Sequence, residues 1–267
     1  MKNKLSYGNM DFIKIPSGSF MMGMIEKDEF ANPIETTRKI RITHSFFIQT
    51  TPVTIKQYME FLNETSYEKE YLIEIWDGNK WIEKLPFSTI LARGDNYPIV
   101  GVSYIDAQNY INWLSKKYNK KFRLPTEAEF EYAAKSNCQC KTKCFYSQEV
   151  KEKNLARMEN SPPANGARMV KTGIKTKQGL YDMHGLIWQW CSDWFFYYDN
   201  NEVNDPKGPI DRPDFAPWKG EKWFPGKVIR GGSFSYPYNY SRCSNRHYSK
   251  ISDRNYNLGF RICFDEE

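Results

Sequence analysis

Helical periodicity occurs in only three clear stretches of this 267-residue chain, and each opens on a residue suited to cap it. Thr54 precedes "IKQYMEFLNE", with Gln57 at the position from which a side chain reaches back to the cap. Ser103 precedes "YIDAQNYINWLSKKY", with Asp106 three residues on and an apolar stripe of Ile105, Ala107, Tyr110, Ile111 and Leu114. Thr126 precedes "EAEFEYAAK", with Glu129 closing the box and Glu127 beside it at the positive helix end. Three short helices cannot enclose a chain of this length by themselves. The other apolar runs are too short for helices and read as strands: "DFIKIPSGSFMMG", "SFFIQTTPVT", "IVGVS", "KVIRGGSF" and "LGFRICF". Residues 135–179 and 199–226 show little periodicity and many Lys, Asn, Pro and Gly, which predicts long loops of the kind that carry function. No internal repeat or heptad run is present. The pattern predicts one α+β domain over residues 1–267, low in regular secondary structure.

Composition supports a packed core. Apolar residues make up 40% and aromatics 16%, with 8 Trp and 18 Tyr, which argues against disorder. The expected core includes Phe12, Ile15, Phe61, Trp113, Leu124, Phe130, Trp188, Trp190 and Phe260. Net charge is +6, but both signs are mixed along the chain, with no basic helical stripe, no RNP-like motif and no zinc finger. No nucleic-acid partner is expected. No run of about 18 apolar residues occurs, so no membrane span is expected. The N-terminus lacks an apolar segment of the secretory type, which predicts a cytoplasmic protein whose six cysteines are mostly reduced.

Few motifs point to chemistry. The three histidines (His44, His184 and His247) include no H-x-x-x-H pair, which argues against a multi-histidine metal site. "CQCKTKC" places Cys138, Cys140 and Cys144 at a spacing foreign to zinc pairs, so incidental thiols are expected there rather than structural zinc. No phosphate-binding glycine loop or nucleophile elbow is present. "RGGS" at residues 230–233 reads as a close approach of two backbones. Glu127 and Glu129 could be taken for an acid/base pair, but helix-start electrostatics explains them better.

The order of "FIKIPSGSFMMG", "TPVTIKQYMEFLN", "YPIVGVSYIDAQNYINWLSKKYNKKFRLPTEAEFEYAAK", "GLYDMHGLIWQWCSDWF", "VIRGGSF" and "NLGFRI" covers almost the whole chain. In this it resembles the formylglycine-generating-enzyme or sulfatase-modifying-factor family. The resemblance implies a decorated C-type-lectin-like α+β fold. For catalytic members it implies a C-x4-C pair whose thiolates bind copper(I) and oxidise a substrate cysteine, in keeping with the softness of thiolate. Counted back from "NLGFR", Cys243 falls on the second cysteine of that pair, and Tyr238 stands where the first would be. One thiolate cannot make the two-sulfur site, which leaves copper and the oxidase chemistry doubtful. Calcium is also weakened. Leu186 and Gln189 stand where the family carries Asn and Glu, and only Asn154 with the carbonyl of Leu155 matches a second, weak calcium site. No cofactor is certain.

Between Tyr236 and Asn257 nearly every residue is Tyr, Asn, Ser, Arg, His, Asp or Cys, the side-chain chemistry of a paratope. The set is also reachable from Asn codons by changing adenines, a habit of retroelement-diversified proteins that use the lectin-like fold. Tyr236, Tyr238, Tyr240, Arg242, His247 and Tyr248 are therefore expected to form an accessible surface beside Trp188 or Trp194, for a protein or peptide ligand. Two alternatives stay open. One is a divergent oxidoreductase of the same family, with Cys243 as its catalytic residue; the other is an inert structural relative.

Overall fold

All three capping boxes form. In the computed structural model, Gln57 donates its backbone N–H to the Thr54 hydroxyl and accepts from the Thr54 N–H through its side-chain oxygen. Asp106 and Ser103 make the same reciprocal pair, as do Glu129 and Thr126. The structure describes residues 3–24, 30, 32–76, 81–135, 166–173, 175–198, 201–213 and 224–266. The boxes start α1 (Ile55–Glu64), α3 (Tyr104–Tyr118) and α4 (Glu127–Lys135). A short α2 (Phe87–Leu91), with no signal in the sequence, lies between the first two.

Strands are many and short. They run β1 (Lys4–Tyr7), β2 (Met10–Ile15), β3 (Gly18–Met22), β4 (Arg38–Ile42), β5 (Phe46–Gln49), β6 (Leu72–Trp76) and β7 (Trp81–Pro86). After α4 follow β8 (Trp188–Trp194), β9 (Val203–Asn204), β10 (Lys227–Arg230), β11 (His247–Ser249), β12 (Leu258–Gly259) and β13 (Cys263–Asp265). One sheet has the order β1-β2-β5-β13, so the last strand closes against the first segment of the chain. A second sheet, β11-β10-β8-β12, carries most of the C-terminal segment; β3-β4-β9 and the β6-β7 hairpin complete the set. This is the mixed α+β fold that the spacing predicts.

"IVGVS" is the one predicted strand that does not form: residues 99–103 lie outside the named strands. Gly101 adopts φ +73°, and a Cβ there would stand 2.6 Å from Ile73 Cγ2, so the chain turns tightly past β6 while Ile99, Val100 and Val102 still bury their side chains. Ile105 also departs from expectation. It is 46% exposed, because the buried face of α3 follows Asp106, Ala107, Tyr110, Ile111 and Leu114 instead. Of the expected core, Phe12, Ile15, Phe61, Leu124, Phe130, Trp188, Trp190 and Phe260 are buried. Trp113 is only half-buried, with its indole N–H turned out to Glu64 at 3.2 Å. Among the described residues, no helix is long and apolar enough to cross a membrane.

The core also holds charge. Arg246 makes a two-pronged bond to Glu127 at 2.6 and 2.8 Å, and Arg230 pairs with Glu131 and approaches Glu127 at 3.5 Å. All four side chains are almost fully enclosed. Arg123 grips Glu129 with two 2.6 Å bonds. Burial pushes the Glu127 carboxyl up, but the Arg246 and Arg230 guanidiniums outweigh it and leave the group below the usual carboxylate range. Burial likewise raises Glu129, while His44 at 3.6 Å and the hydrogen-bonded Arg123 bring it down to about 2. The glutamates of α4 are structural counter-ions, as helix-start electrostatics anticipates.

Removing one member of such a pair leaves a buried charge without its partner. Glu127→Ala is expected to destabilise the chain by about 3–5 kcal/mol in urea unfolding. Adding Arg246→Met should recover part of that loss, and strict additivity of the two changes would show that the pair is not coupled. His44 supplies a pH dependence. The Glu129 carboxylate, 3.6 Å from Nε2, outweighs partial burial and, with Asp205 and Asp265 nearby, raises its pKa above the ordinary 6.5. The charged form is therefore favoured by folding. Its stabilisation is complete below pH ~6.5 and is lost as pH rises through the folded value. The wild-type melting temperature should fall between pH 6 and 8 relative to His44→Gln, and parallel curves would count against this.

Candidate functional site

The C-terminal segment is built by a tight turn, a short helical turn and a strand. Gly231 and Gly232, directly after β10, adopt φ +98° and +68°. A Cβ on Gly232 would meet Ser241 Oγ and the Tyr240 carbonyl at 2.8 Å, so this turn requires a residue without a side chain. The close backbone approach read from "RGGS" is thus real. The chain then makes a 3-10 turn over Tyr238–Ser241 and enters β11 at His247.

Between those two points the side chains point inward, against expectation. Arg242 is 2% exposed and forms a double bond pattern with Glu35, at 2.6 Å to each carboxylate oxygen, while also donating to the Asn239 and Phe30 carbonyls. Ser244 and Asn245 donate to the same Glu35. Arg246 is the partner of Glu127. The "RCSNR" stretch therefore anchors the segment and presents no binding face. Arg242 is corrected from ligand contact to buried counter-ion. The cause is Glu35, whose distant carboxylate no local pattern announces.

The aromatic residues on either side do gather. Tyr236, Tyr240 and His247 are half-buried and ring the indole of Trp188, with centroids at 5.5, 6.4 and 5.6 Å. Tyr236 also meets Tyr240 edge-on at 5.2 Å. Trp188 itself is buried, so it is the floor of this group rather than part of its accessible surface. Tyr248 stacks chiefly on Phe195 at 4.6 Å, with the His247 ring at 5.8 Å, and Tyr238 packs on Phe30 at 5.9 Å. The expected single face of six side chains thus resolves into a platform of three, with two tyrosines directed elsewhere and the arginine buried.

A separate group of rings and one cation lies at the far end of β8, around Trp194. Lys227, paired with Trp194 across β10 and β8, lays its ammonium over the Trp194 ring at 4.2 Å and the Tyr104 ring at 5.1 Å. It donates to the Ser192 carbonyl at 2.7 Å, and burial lowers its pKa to about 8. Neighbouring Asp193 is buried behind the strand, where it accepts the Glu127 N–H at 2.9 Å. Burial and the Glu127 carboxylate raise its pKa to about 7.

Cys243 is buried, its sulfur 3.9 Å from Nε2 of His184. His184 Nδ1 lies 2.9 Å from the Ser241 carbonyl, and enclosure lowers the imidazole to about 4, so the ring is neutral. One thiol and one neutral imidazole, with a phenol at Tyr238, are not the donor set of a two-thiolate copper pair. The other described cysteines, Cys191 and Cys263, are also buried thiols, and burial raises both well above the ordinary thiol range. At the first calcium position, Leu186 is an apolar core residue. Gln189 spends its oxygen on Arg261 Nε at 2.6 Å and its amide on the Asp182 carbonyl at 3.0 Å. A guanidinium occupies the place, which does not suit a hard cation. Asn154, Leu155 and the thiols Cys138, Cys140 and Cys144 lie outside the described residues. His44, Glu129 and Asp265 come together, but Arg123 already bridges the two carboxylates.

The comparisons with known proteins agree with this architecture. The model of the sulfatase-modifying factor enzyme 1-like domain matches residues 2–266. The chain is 27% identical to a protein named serine/threonine-protein kinase pkn1 from Chlamydia caviae, over 94% of this chain and 37% of that protein, so it spans well under half of that relative. It is 26% identical to the formylglycine-generating enzyme of Mus musculus, over 95% of this chain and 74% of the relative. Among solved structures, PvdO from Pseudomonas aeruginosa superposes with a TM-score of 0.71 at 25% identity, covering 96% of this chain and 94% of that one.

The burial of the three described thiols has a direct consequence. Iodoacetamide applied to the native protein should leave Cys191, Cys243 and Cys263 unmodified by mass spectrometry, and all three should label after unfolding. Rapid native labelling of Cys243 would show that its pocket opens.

Proposed function

The chain belongs to the sulfatase-modifying factor enzyme 1-like domain family, and on that premise we propose that it binds a polypeptide ligand through the Tyr236–Tyr240–His247 platform. The carrying observation is that these three half-buried rings are fixed against one buried indole. Rings held in this way offer amphipathic contact area that loses little conformational entropy on binding. Trp194, Tyr104 and the ammonium of Lys227 form the separate group at the far end of β8, with a cation suited to an acidic or carbonyl-rich stretch of the ligand. Behind the platform, the Arg242–Glu35 and Arg246–Glu127 pairs hold its backbone. If copies of this segment differ in sequence, residues 236–240 and 247–248 can vary, whereas residues 242–246 cannot vary without unpairing Glu35 or Glu127.

Oxidative conversion of a peptide cysteine is the competing reading, supported by the relatives named formylglycine-generating enzyme. The enclosed thiol of Cys243 and its neutral imidazole neighbour favour recognition over that chemistry, and no step through copper is derived.

A random peptide library displayed on phage, selected on the immobilised wild-type protein, should enrich binders. The double variant Tyr236→Ala, Tyr240→Ala should lose about 2 kcal/mol or more of affinity for them. Cys243→Ser should keep it. Equal retention by the double variant would sink the platform as the binding surface. Mass loss at the cysteine of a C-x-P-x-R peptide incubated with copper-loaded protein, abolished by Cys243→Ser, would establish the oxidoreductase instead.

A further inference from the structure

Of the buried arginines among the described residues, four have evident partners. Arg230, Arg242 and Arg246 each face a glutamate, and Arg261 donates to the Gln189 side chain and to the Gln49, Tyr181 and Asp182 carbonyls. Arg38 is the exception. It opens β4 on the inward side of the strand and is 8% exposed. Its Nε has no hydrogen-bond partner, and among the described residues it forms no ion pair. Its guanidinium lies over the Tyr198 ring, 3.7 Å from the centroid. Arg246 approaches the same ring at 3.6 Å, so Tyr198 is held between two guanidiniums.

Arg38 lines a cavity of about 350 Å³ at the far end of β8 from Trp188. The walls include Trp194, Phe196, Tyr198, Val203 and Pro209, and Glu127 and Arg246 close one side. Gly208 lets the wall approach β8. At φ +68° it passes so near that a Cβ would stand 3.0 Å from the Trp194 carbonyl. Glu127 is taken up by Arg246 and Arg230, while Arg38 and Lys207 bring two further cations to the lining. Arg38 is the buried one of these two, at the wall of a partly open aromatic cavity, and a buried charge without a counter-ion calls for a partner.

We infer that this cavity is a binding site for a single carboxylate carried on an aromatic or apolar body, with Arg38 as its counter-ion. Stacking on Tyr198 leaves the donor edge of the guanidinium open, and that planar fork matches a carboxylate in two parallel bonds. Inorganic phosphate would leave the aromatic and apolar walls unfilled, whereas an acid on an apolar body covers them. The apolar and proline walls suit the body of the ligand. The acid could be a free small molecule or the C-terminus of a peptide, since both present the same group. The site stands apart from the Tyr236–Tyr240–His247 platform, and its occupancy does not depend on that surface.

Isothermal titration calorimetry on the full chain tests this with four probes: phenylacetate, an N-acetylated tripeptide ending in a Phe carboxylate, its C-terminal amide, and inorganic phosphate. Both carboxylates should bind, and the amide and phosphate should not. Tighter binding of the peptide acid identifies a peptide terminus as the source; tighter binding of phenylacetate identifies a free small acid. Arg38→Met should weaken carboxylate binding at least about tenfold, because the fork is lost. The same variant should raise the melting temperature of the ligand-free protein, since it removes an uncompensated buried cation. Tyr236→Ala, Tyr240→Ala should leave phenylacetate binding unchanged. The site is overturned if neither carboxylate binds, if phosphate is preferred, if Arg38→Met binds as tightly as wild type, or if Arg38→Met melts well below it.

Discussion

Pairing of buried guanidiniums with buried carboxylates is the constraint on which the rest of this structure depends. α4 contributes three glutamates whose side chains are almost wholly enclosed, and each meets an arginine from a later part of the chain or from the residues just before the helix. An ion pair at this depth contributes little net stability relative to a well-packed apolar substitute. What it does enforce is register. A shift of β10 or β11 by one residue would direct Arg230 or Arg246 away from α4 and strand two charges in the core. With strands of two to seven residues, hydrogen-bond ladders alone specify alignment weakly, and the charge pairs supply what the ladders lack.

The proposed recognition platform follows from that anchoring. Arg242 and Arg246 flank Cys243, and between them they tie the backbone to Glu35 on one side and to α4 on the other. Tyr236 and Tyr240 lie just before this clamp and His247 just after it. The three rings can therefore hold fixed positions over Trp188 although they sit in a region with little regular structure. The neutral, enclosed His184 beside Cys243 belongs to the same support: its Nδ1 meets the Ser241 carbonyl at the end of the 3-10 turn.

Arg38 departs from the rule that the other buried arginines obey. The other buried arginines each meet a carboxylate or several carbonyls, whereas this one is stacked on a tyrosine at a cavity wall. The nearby Asp193 does not serve as its partner. It caps the start of α4, and burial beside Glu127 lifts its pKa to about 7, so at neutral pH much of it is uncharged. Arg38 therefore stands at the cavity wall beside Lys207 with no ion pair among the described residues.

The local elements are legible in the order of residues. Thr54, Ser103 and Thr126 with their box partners fix the helix starts, because a cap is satisfied within four residues. Apolar spacing fixed most of the core, and the glycines of "RGGS" marked the turn they make. Errors came where a residue's neighbours are remote in the chain. Ile105 faces solvent because Asp106, bonded to Arg254, takes the inward position. The Tyr- and Arg-rich segment looked like one exposed surface because composition records chemistry and not direction. Glu35 lies 207 residues before Arg242, and only folding brings that carboxylate to that guanidinium. Tertiary structure alone decided which arginines became counter-ions, which tyrosines became a platform, and which cation was left facing a cavity. The physical reason is that charge pairing and ring packing act across space, at distances that sequence separation does not encode.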